Sequence, residues 1–350
     1  MTPTILHRAL LPAALVASLT LAACGSGDPL ADGAAEPGAG DSDTGATGST
    51  GAGDTGTEAG SDPAASTGAA GGSGSVTVGG ANFTEMQVME EMYGALLTDA
   101  GYEVEIVASD SREIYAQALI DGDIDVVPEY AASMAEHLNR EVNGAEAELI
   151  ATNDVGETIA AMTPVAEGLG LVVGEPAEAA SQNGYAVPKA VAEEQGLTTL
   201  SDFAAVQPEI VLAATEECPT RPFCQIALEE TYGFTVTEIL PLGYGSPQAK
   251  QAVLVGEADL ALVGTTDATL EAEGLVLLED DQAVQLADNL LPVFNAAAAE
   301  DATLVDTLNG LADVLTTDDL AELNRRVDAD RELPADVATD YLLEKGLIEG

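Results

Sequence analysis

The chain has 350 residues, of which 61 are acidic and 10 are basic, so its formal charge is −51. Binding to nucleic acid or to an anionic membrane surface needs clusters of Lys and Arg, and this composition argues strongly against both. We interpret the acidity as a solvated surface; a saline habitat, in which salt screens the self-repulsion, is one hypothesis for it.

The first predicted segment is an export signal. His7 and Arg8 precede the apolar run ALLPAALVASLTL, which is too short to span a bilayer as a mature helix and is followed by small residues and Cys24. This segment resembles a bacterial lipoprotein signal peptide, which implies removal of residues 1–23 and attachment of diacylglycerol to the Cys24 sulfur. The alternative is an ordinary signal peptide with an incidental cysteine. We expect an extracytoplasmic protein, anchored to the cell membrane by its N-terminal lipid.

Residues 24–75 are predicted to form a tether. After Cys24 they are mostly Gly, Ser, Ala, Thr and Asp, with eight acidic residues and no basic one. Such a segment cannot bury enough apolar surface to offset the entropy of ordering it. We therefore expect a disordered tether that reaches on the order of 40 Å from the membrane.

Regular structure is predicted from residue 75 onward. SVTVGGANF predicts a strand and a Gly-rich turn, and Thr84 is placed to cap a helix that stops at Gly101. YEVEIVAS predicts a strand, REIYAQALIDGD a helix and IDVVPEY a buried strand. Strands that alternate with helices in this way predict a parallel sheet with right-handed crossovers.

The same alternation returns in the second half of the chain. Strands are predicted near residues 207–214, 235–241 and 258–263, with helices near 225–232 and 250–256 between them. Irregular segments separate the two halves. The sequence therefore predicts two α/β lobes.

Several stretches resemble a known family in its own order. They include GGANFTEMQVMEEMYGALL, ALIDGDIDVVPEY, NGYAVPKAVAEEQGLTTLSDFA and VGEADLALVGTTDATL, and the resemblance covers nearly everything after residue 75. The chain resembles the osmoprotectant-binding proteins of ABC importers, which bind glycine betaine, carnitine or choline. This implies an α/β type II periplasmic-binding fold, two lobes joined by two crossover strands with the ligand cleft between them. Lobe 1 would be residues 76–180 plus 288–350, and lobe 2 residues 181–287.

Aromatic rings are the expected contacts of such a ligand. A quaternary ammonium group cannot donate a hydrogen bond, whereas the electron-rich faces of aromatic rings attract it. The resemblance implies a ring in the cleft at Tyr130, which closes the strand DVVPEY, and a second at Tyr185 in NGYAVP. Phe83 follows the first turn, at the predicted mouth of the cleft. The alternative for each is a buried ring with a structural role.

Three threonines are predicted to add polar donors to the site. Thr84 follows the first turn, and Thr265 and Thr266 stand where the resemblance implies a Ser-Thr-Asp-like motif after the last strand of lobe 2. Their hydroxyl and backbone groups are expected to complete the site.

Two positions depart from the main family pattern. Asp110-Ser111-Arg112-Glu113 replaces a Gly-Gly-Thr-Ser-like turn, and Lys250 stands near the place of a family tyrosine, with Tyr244 nearby. The first variant, together with the loop ECPTRPFC, resembles a subgroup of the family.

Arg112 begins a predicted helix, where a positive charge opposes the helix macrodipole. Another interaction should therefore explain its presence. One explanation is a ligand carboxylate held by two parallel hydrogen bonds, which would favour carboxylate ligands over choline. The other is an ion pair with one of the abundant acidic side chains.

The stretch EECPTRPFC admits a metal site, a redox motif, a disulfide or a ligand-facing loop. Its cysteine spacing is not CxxC, and no second Cys or His pair completes a zinc site. In an oxidising compartment two such thiols pair, so we predict a Cys218–Cys224 disulfide. The disulfide would make the loop rigid, and the loop would present Arg221 and Phe223 toward the cleft.

Catalytic patterns are weak in this sequence. His137 is expected to be a surface or structural residue, since no GxSxG, HExxH or phosphate-loop pattern accompanies it. DGDIDVVPE imitates a calcium loop but has Val126 where a glycine is required. We expect no catalytic residue, no metal and no cofactor.

We therefore predict a monomeric solute-binding protein that delivers a glycine betaine-like zwitterion to an ABC permease and its ATPase. One alternative is the same fold with a different carboxylate or aromatic solute. Another is an extracytoplasmic enzyme or ligand sensor on the same scaffold.

Overall fold

A computed structural model describes residues Gly72–Glu349. The predicted signal peptide, Cys24 and nearly all of the predicted tether lie outside these residues. The last tether positions are ordered, because the Gly72 amide donates to the Ala100 carbonyl at 2.8 Å and a strand begins at Ser75. In the described residues, no helix is long and apolar enough to cross a bilayer.

Ten strands are present in the described residues. They are β1 (Ser75–Ala81), β2 (Glu103–Ser109), β3 (Val126–Tyr130), β4 (Leu171–Val173), β5 (Asn183–Pro188), β6 (Glu209–Ala214), β7 (Thr235–Pro241), β8 (Leu260–Gly264), β9 (Leu275–Leu278) and β10 (Leu290–Asn295).

Twelve α-helices accompany them between Gly72 and Glu349. They are α1 (Thr84–Asp99), α2 (Arg112–Asp121), α3 (Ala131–Asn143), α4 (Val155–Gly168), α5 (Lys189–Gln195), α6 (Leu200–Val206), α7 (Ala227–Glu230), α8 (Pro247–Leu254), α9 (Leu270–Glu273), α10 (Ala302–Ala312), α11 (Thr317–Asp328) and α12 (Pro334–Lys345).

The strands form two five-stranded sheets, each the centre of one lobe. The sheet of the first lobe has the order β2-β1-β3-β10-β4, and that of the second lobe has the order β7-β6-β8-β5-β9. Three neighbouring strands in each sheet are parallel, as predicted, while β10 and β5 run antiparallel to their neighbours. Each of these two strands arrives from the other lobe, so it enters its sheet at the edge where the parallel strands end.

Two chain segments connect the lobes side by side. An isolated antiparallel bridge joins Ala180 to Asn289, and the Leu290 amide donates to the Ala179 carbonyl at 2.9 Å. These are the two crossover strands of a type II periplasmic-binding fold, the predicted class. A pair of hydrogen-bonded extended segments is a small hinge, about which two rigid lobes can rotate.

Alternating side chains build separate cores on the two faces of the second sheet. Tyr185 and Leu212 pack on one face, while the adjacent Ala186 and Ala213 pack on the other. This period of two is the geometry of a strand buried on both faces. One large cluster forms the core of the first lobe, and Phe223 of the ECPTRPFC loop belongs to that cluster.

One local prediction is wrong, and one predicted helix is shorter and less regular than expected. Phe83, not Thr84, is the N-cap of α1; Thr84 is the first helical residue, and its hydroxyl donates to Asp328 at 2.7 Å. The helix expected at residues 225–232 is a π-helical turn (Pro222–Ile226) followed by the single turn α7. The backbone of Cys224 is non-helical at φ −121° and ψ −117°, which breaks the helix there.

The predicted disulfide Cys218–Cys224 is present and buried. It closes the loop between β6 and α7. In the chain-entropy model, a cross-link that closes so short a loop stabilises the folded state by roughly 2–2.5 kcal/mol.

The double variant Cys218→Ser/Cys224→Ser is therefore expected to lower the free energy of unfolding by roughly 2–2.5 kcal/mol, because the unfolded chain regains the freedom of an open loop. Urea unfolding under oxidising conditions measures the difference. The control is the same comparison in reductant, where wild type and variant should converge. A difference that persists there would assign the loss to side-chain packing instead of the cross-link.

Candidate functional site

One large cavity lies where parallel strands of both sheets end. Its volume is about 750 Å³, and its walls come from the turns that follow β1, β2, β6 and β7 and from residues along most of α3. In open α/β sheets, ligands bind at the carboxyl ends of the strands. The cavity is therefore the candidate binding site, and it lies between the lobes.

Glu129 and Arg112 form a buried ion pair beside this cavity. The guanidinium donates through Nε and Nη2 to the two carboxylate oxygens at 2.8 and 2.9 Å. The Tyr115 hydroxyl and the Tyr130 amide donate to the same carboxylate at 2.7 and 3.0 Å. The structure therefore contains an ion pair of Arg112 with an acidic side chain, which was one of the two explanations for this arginine. Arg112 also lines the cavity.

Glu129 is fully buried, yet it is held ionised. Burial opposes the charge, but the Arg112 guanidinium and four donated hydrogen bonds outweigh it, so the pKa of Glu129 is lowered. Burial, followed by the neighbouring Glu129 carboxylate, raises the pKa of the Tyr115 phenol far above its usual range. Tyr115 therefore stays a neutral donor.

An aromatic cluster, defined as Phe83, Tyr130 and Tyr244, brings rings from both lobes to the cavity. The Phe83 ring centroid lies 5.0 Å from that of Tyr244 and 6.5 Å from that of Tyr130. Phe83 follows β1 and Tyr130 ends β3, whereas Tyr244 follows β7 in the second lobe.

Behind the aromatic cluster, a buried polar network joins the lobes. Glu85 accepts hydrogen bonds from the Tyr130 hydroxyl at 2.7 Å, from the Thr266 hydroxyl at 2.6 Å and from the Asn324 amide at 2.7 Å. Thr266 also shares a 2.9 Å hydrogen bond with Ser181 in the first crossover segment. The network therefore holds one ring of the cluster against the hinge.

Asp288 places a second buried carboxylate at the cavity. It accepts hydrogen bonds from the Ser133 amide at 2.8 Å and from the Ser133 hydroxyl at 2.6 Å. Burial raises the pKa of Asp288 to about 6, although Ser133 and the charge of Arg112 act in the opposite direction. Asp288 lies in the second crossover segment, next to the hinge bridge.

The ECPTRPFC loop lines the opposite wall and contacts both the hinge and the first lobe. The Phe223 carbonyl accepts hydrogen bonds from Asn183, Tyr185 and Gln285 at 3.0, 3.2 and 3.0 Å. Arg221 pairs with Glu113 of α2, its Nη2 lying 2.9 Å from Oε2. Through these contacts the loop connects the two lobes across the cleft.

The predicted site residues divide into three groups. Phe83, Arg112, Tyr130, Arg221 and Phe223 line the large cavity.

Thr84 and Thr266 line only a small adjacent cavity, with Phe83 and Tyr244 on its other side. Tyr185 and Thr265 line neither cavity. The Tyr185 ring is buried in the second core with its hydroxyl on Phe223, and the Thr265 hydroxyl accepts a hydrogen bond from the Gln182 amide at 3.0 Å. Both residues support the wall of the cavity from behind.

Sequence reasoning missed Tyr115, Asp288 and the position of His137, all of which line the cavity. Tyr115 stands three residues after Arg112, so both share one face of α2; this spacing was the available signal. Nothing in the local sequence of Asp288 signals its burial. His137, expected at the surface or in a structural role, faces the cavity from α3.

The chain also matches known proteins over most of its length. Residues 74–344 match the family described as the substrate-binding domain of ABC-type glycine betaine transport systems. A glycine-betaine-binding protein of Pseudomonas aeruginosa is 27% identical over 299 residues, which cover 79% of this chain and 89% of the relative. A carnitine transport binding protein of Listeria monocytogenes is 24% identical, covering 79% and 88%.

Solved structures show the same fold. A structure described as a glycine betaine/carnitine/choline ABC transporter matches with a TM-score of 0.58 at 22% identity, covering 78% of this chain and 100% of its own. The apo form of YehZ from Escherichia coli matches with a TM-score of 0.52 at 25% identity, covering 78% and 99%.

The chain therefore belongs to the family of ABC-type glycine betaine substrate-binding domains. It is an extracytoplasmic solute-binding protein with a type II periplasmic-binding fold, as the resemblance implied.

The Asp288 pKa makes stability depend on pH in a defined direction. The folded state keeps this proton up to about pH 6, whereas the unfolded chain loses it near pH 4. Folding thus takes up a proton in that window, and stability falls as pH rises through it. Relative to wild type, Asp288→Asn should gain about 2–3 kcal/mol in the free energy of unfolding between pH 4 and pH 7.

Urea unfolding of both proteins across this range tests the prediction, because the other carboxylates cancel in the difference. Asp301→Asn is the control, since the Tyr102 hydroxyl lowers the pKa of Asp301. This carboxyl is ionised in both the folded and the unfolded state above pH 4, so its difference from wild type should be nearly independent of pH across this range. A pH-independent difference for Asp288→Asn would show that Asp288 is ionised in the folded state throughout.

Proposed function

We propose that this protein captures a small zwitterion of the glycine betaine class between its lobes and delivers it to an ABC permease that a cytoplasmic ATPase drives. The observation that carries the proposal is the aromatic cluster from both lobes, which borders one cavity together with a buried carboxylate, Asp288. The family supports the transport role, and its relatives are named for glycine betaine and carnitine.

The chemistry of the site suits a quaternary ammonium group. Each aromatic face contributes about 0.5–2 kcal/mol of attraction for a desolvated cation. Asp288 adds negative potential. This attraction requires no hydrogen bond, which a quaternary ammonium group cannot donate. Glu129 contributes little net field, because Arg112 neutralises it.

Cations in the same cavity suit the anionic end of a zwitterion. Arg112 gives Nε and Nη2 to Glu129, and in the described residues its Nη1 has no hydrogen-bond partner. Arg221 borders the cavity from the other lobe. Choline brings no anion toward these guanidinium groups, so we infer a ligand with a carboxylate.

Closure of the lobes would involve the hinge and the contacts of the ECPTRPFC loop with the first lobe. We assign residues 76–180 and 288–350 to the first lobe and 181–287 to the second. In this structure Tyr244 already lies against Phe83, and Arg221 already pairs with Glu113, so rotation about the Ala180–Asn289 bridge would open and re-form these contacts. A ligand that contacts both lobes shifts the equilibrium toward this closed arrangement.

The role of Tyr244 provides the first test. Tyr244→Ala is expected to weaken glycine betaine binding roughly three- to thirtyfold, because one ring face is lost. Tyr244→Phe, the matched control, should bind within about twofold of wild type, since the hydroxyl makes only a long 3.4 Å contact with the Gln182 carbonyl. Isothermal titration calorimetry measures both.

Three outcomes of a wider ligand screen distinguish the proposed function from its alternatives. Absence of binding to any quaternary ammonium compound would remove the proposal, and tight binding of a different carboxylate would replace the ligand. Chemical turnover of the bound solute would support the enzyme alternative.

We further propose that the mature protein is a monomer held at the membrane by lipid on Cys24, which lies outside the described residues. The support is the lipoprotein-like sequence that ends at this cysteine. Cys24→Ser is expected to release the protein from the membrane fraction of expressing cells, whereas Cys218→Ser/Cys224→Ser should stay membrane-bound. Retention of the Cys24→Ser variant at the membrane would contradict lipid anchoring.

A further inference from the structure

Arg140 is unusual among the basic residues of this acidic protein. Of the nine lysines and arginines between Gly72 and Glu349, seven have a carboxylate oxygen within 4.0 Å. The two without one are Arg331, which is exposed, and Arg140, which is partly buried and lines the cavity. With 61 acidic side chains in the chain, a cavity-facing guanidinium without a carboxylate is available for an external anion.

The hydrogen bonds of Arg140 lead to the same conclusion. Its Nη1 donates to the Thr220 carbonyl at 3.1 Å, while its Nε is buried and has no hydrogen-bond partner. Because solvent does not reach this Nε, an anion in the cavity would accept from the terminal nitrogens of the guanidinium instead. Glu141 and Glu217 line the same end of the cavity, but neither carboxylate lies within ion-pair distance.

His137 adds a second polar group beside Arg140. The two residues are three apart on α3, so they share a face, and both line the cavity. Burial and the nearby Arg112 lower the pKa of His137, although Glu129 and Glu113 oppose this. A neutral imidazole with a free ring N–H can donate one hydrogen bond to an anion.

Arg140 and His137 lie farther along α3 than Tyr130 of the aromatic cluster. Helix α3 begins directly after Tyr130, and Arg140 lies nine residues beyond its first residue, Ala131. At 1.5 Å per residue this is about 13 Å along the helix axis. Glycine betaine places its carboxylate only one carbon from the nitrogen, so a ligand with more carbons between these groups suits this separation better.

The size of the cavity agrees with a longer ligand. About 750 Å³ is within the range of roughly 300–1,000 Å³ that holds drug-sized ligands. A glycine betaine molecule at the aromatic cluster would leave most of this volume to solvent.

We propose that Arg140 and His137 form an anion-binding subsite at the more exposed end of the cleft, which receives the carboxylate of a trimethylammonium solute longer than glycine betaine. The proposal rests on the proposed function, because it takes the aromatic cluster as the site of the cation. It assigns selection of ligand length to a pair of residues on α3.

A chain-length series tests the subsite. Calorimetry would compare glycine betaine, γ-trimethylammonio-butanoate, ε-trimethylammonio-hexanoate and an alkyl-trimethylammonium ion of matching length without a carboxylate. Arg140→Gln is expected to weaken binding of the longer zwitterions roughly ten- to a hundredfold, the value of a charge-assisted hydrogen bond. Binding of glycine betaine and of the alkyl ion should change less than about threefold.

Two further variants complete the experiment. Arg331→Gln removes the other arginine without a carboxylate and should change no ligand. Arg140→Lys keeps the charge and should retain part of the affinity for the longer zwitterions.

Other results would overturn the subsite. Equal weakening of all ligands by Arg140→Gln would show that Arg140 acts through Thr220 on lobe closure, and no effect would make it a surface charge. If wild type binds glycine betaine but no longer zwitterion, the subsite alone fails. If wild type binds no quaternary ammonium compound, the proposed function fails as well.

Discussion

The carboxylate of Glu129 is fully buried at the end of a central strand, and a buried charge is stable only when it is paired and hydrogen-bonded. Arg112 supplies the pair, which explains an arginine at a helix N-terminus against the macrodipole. Tyr115 and the Tyr130 amide satisfy the remaining lone pairs. Because these three groups donate four hydrogen bonds to one carboxylate, the start of α2 and the end of β3 have fixed positions, and the cavity wall of the first lobe is formed around them.

The second lobe meets this wall through the ECPTRPFC loop. Its disulfide and two prolines restrict the loop, and the Phe223 carbonyl receives donors from both crossover regions. The same few residues present Arg221 to Glu113 and insert the Phe223 ring into the core of the first lobe. The loop thus couples hinge, cleft and lobe contact, so a change in the loop is transmitted to the geometry of the cleft.

Prediction from the sequence succeeded where the signal is local and periodic. The strands β1, β2, β3, β6, β7 and β8 lie where alternating or continuous apolar runs predict them. The helix predicted at residues 225–232 is present but short and irregular, because the backbone of Cys224 just before it is non-helical, and helical periodicity does not reveal such a residue. Tyr185 shows what a family position does not contain: the ring is buried in the second core, and its hydroxyl donates to the Phe223 carbonyl of a loop distant in sequence.

The sequence by itself determined the alternation of strands and helices, the family, the disulfide and the scarcity of basic residues. These properties depend on neighbouring residues, spacing and composition, all of which are present in the linear sequence. Only the tertiary structure decided which carboxylates are paired and which cations are left without one. The N-terminal position of Arg112 in its helix indicated that it needs a partner, but neither the identity of that partner, Glu129, nor the absence of a carboxylate beside Arg140 can be read from the local sequence. Pairing depends on distances between segments from different parts of the chain, and those distances exist only after the lobes have folded and met.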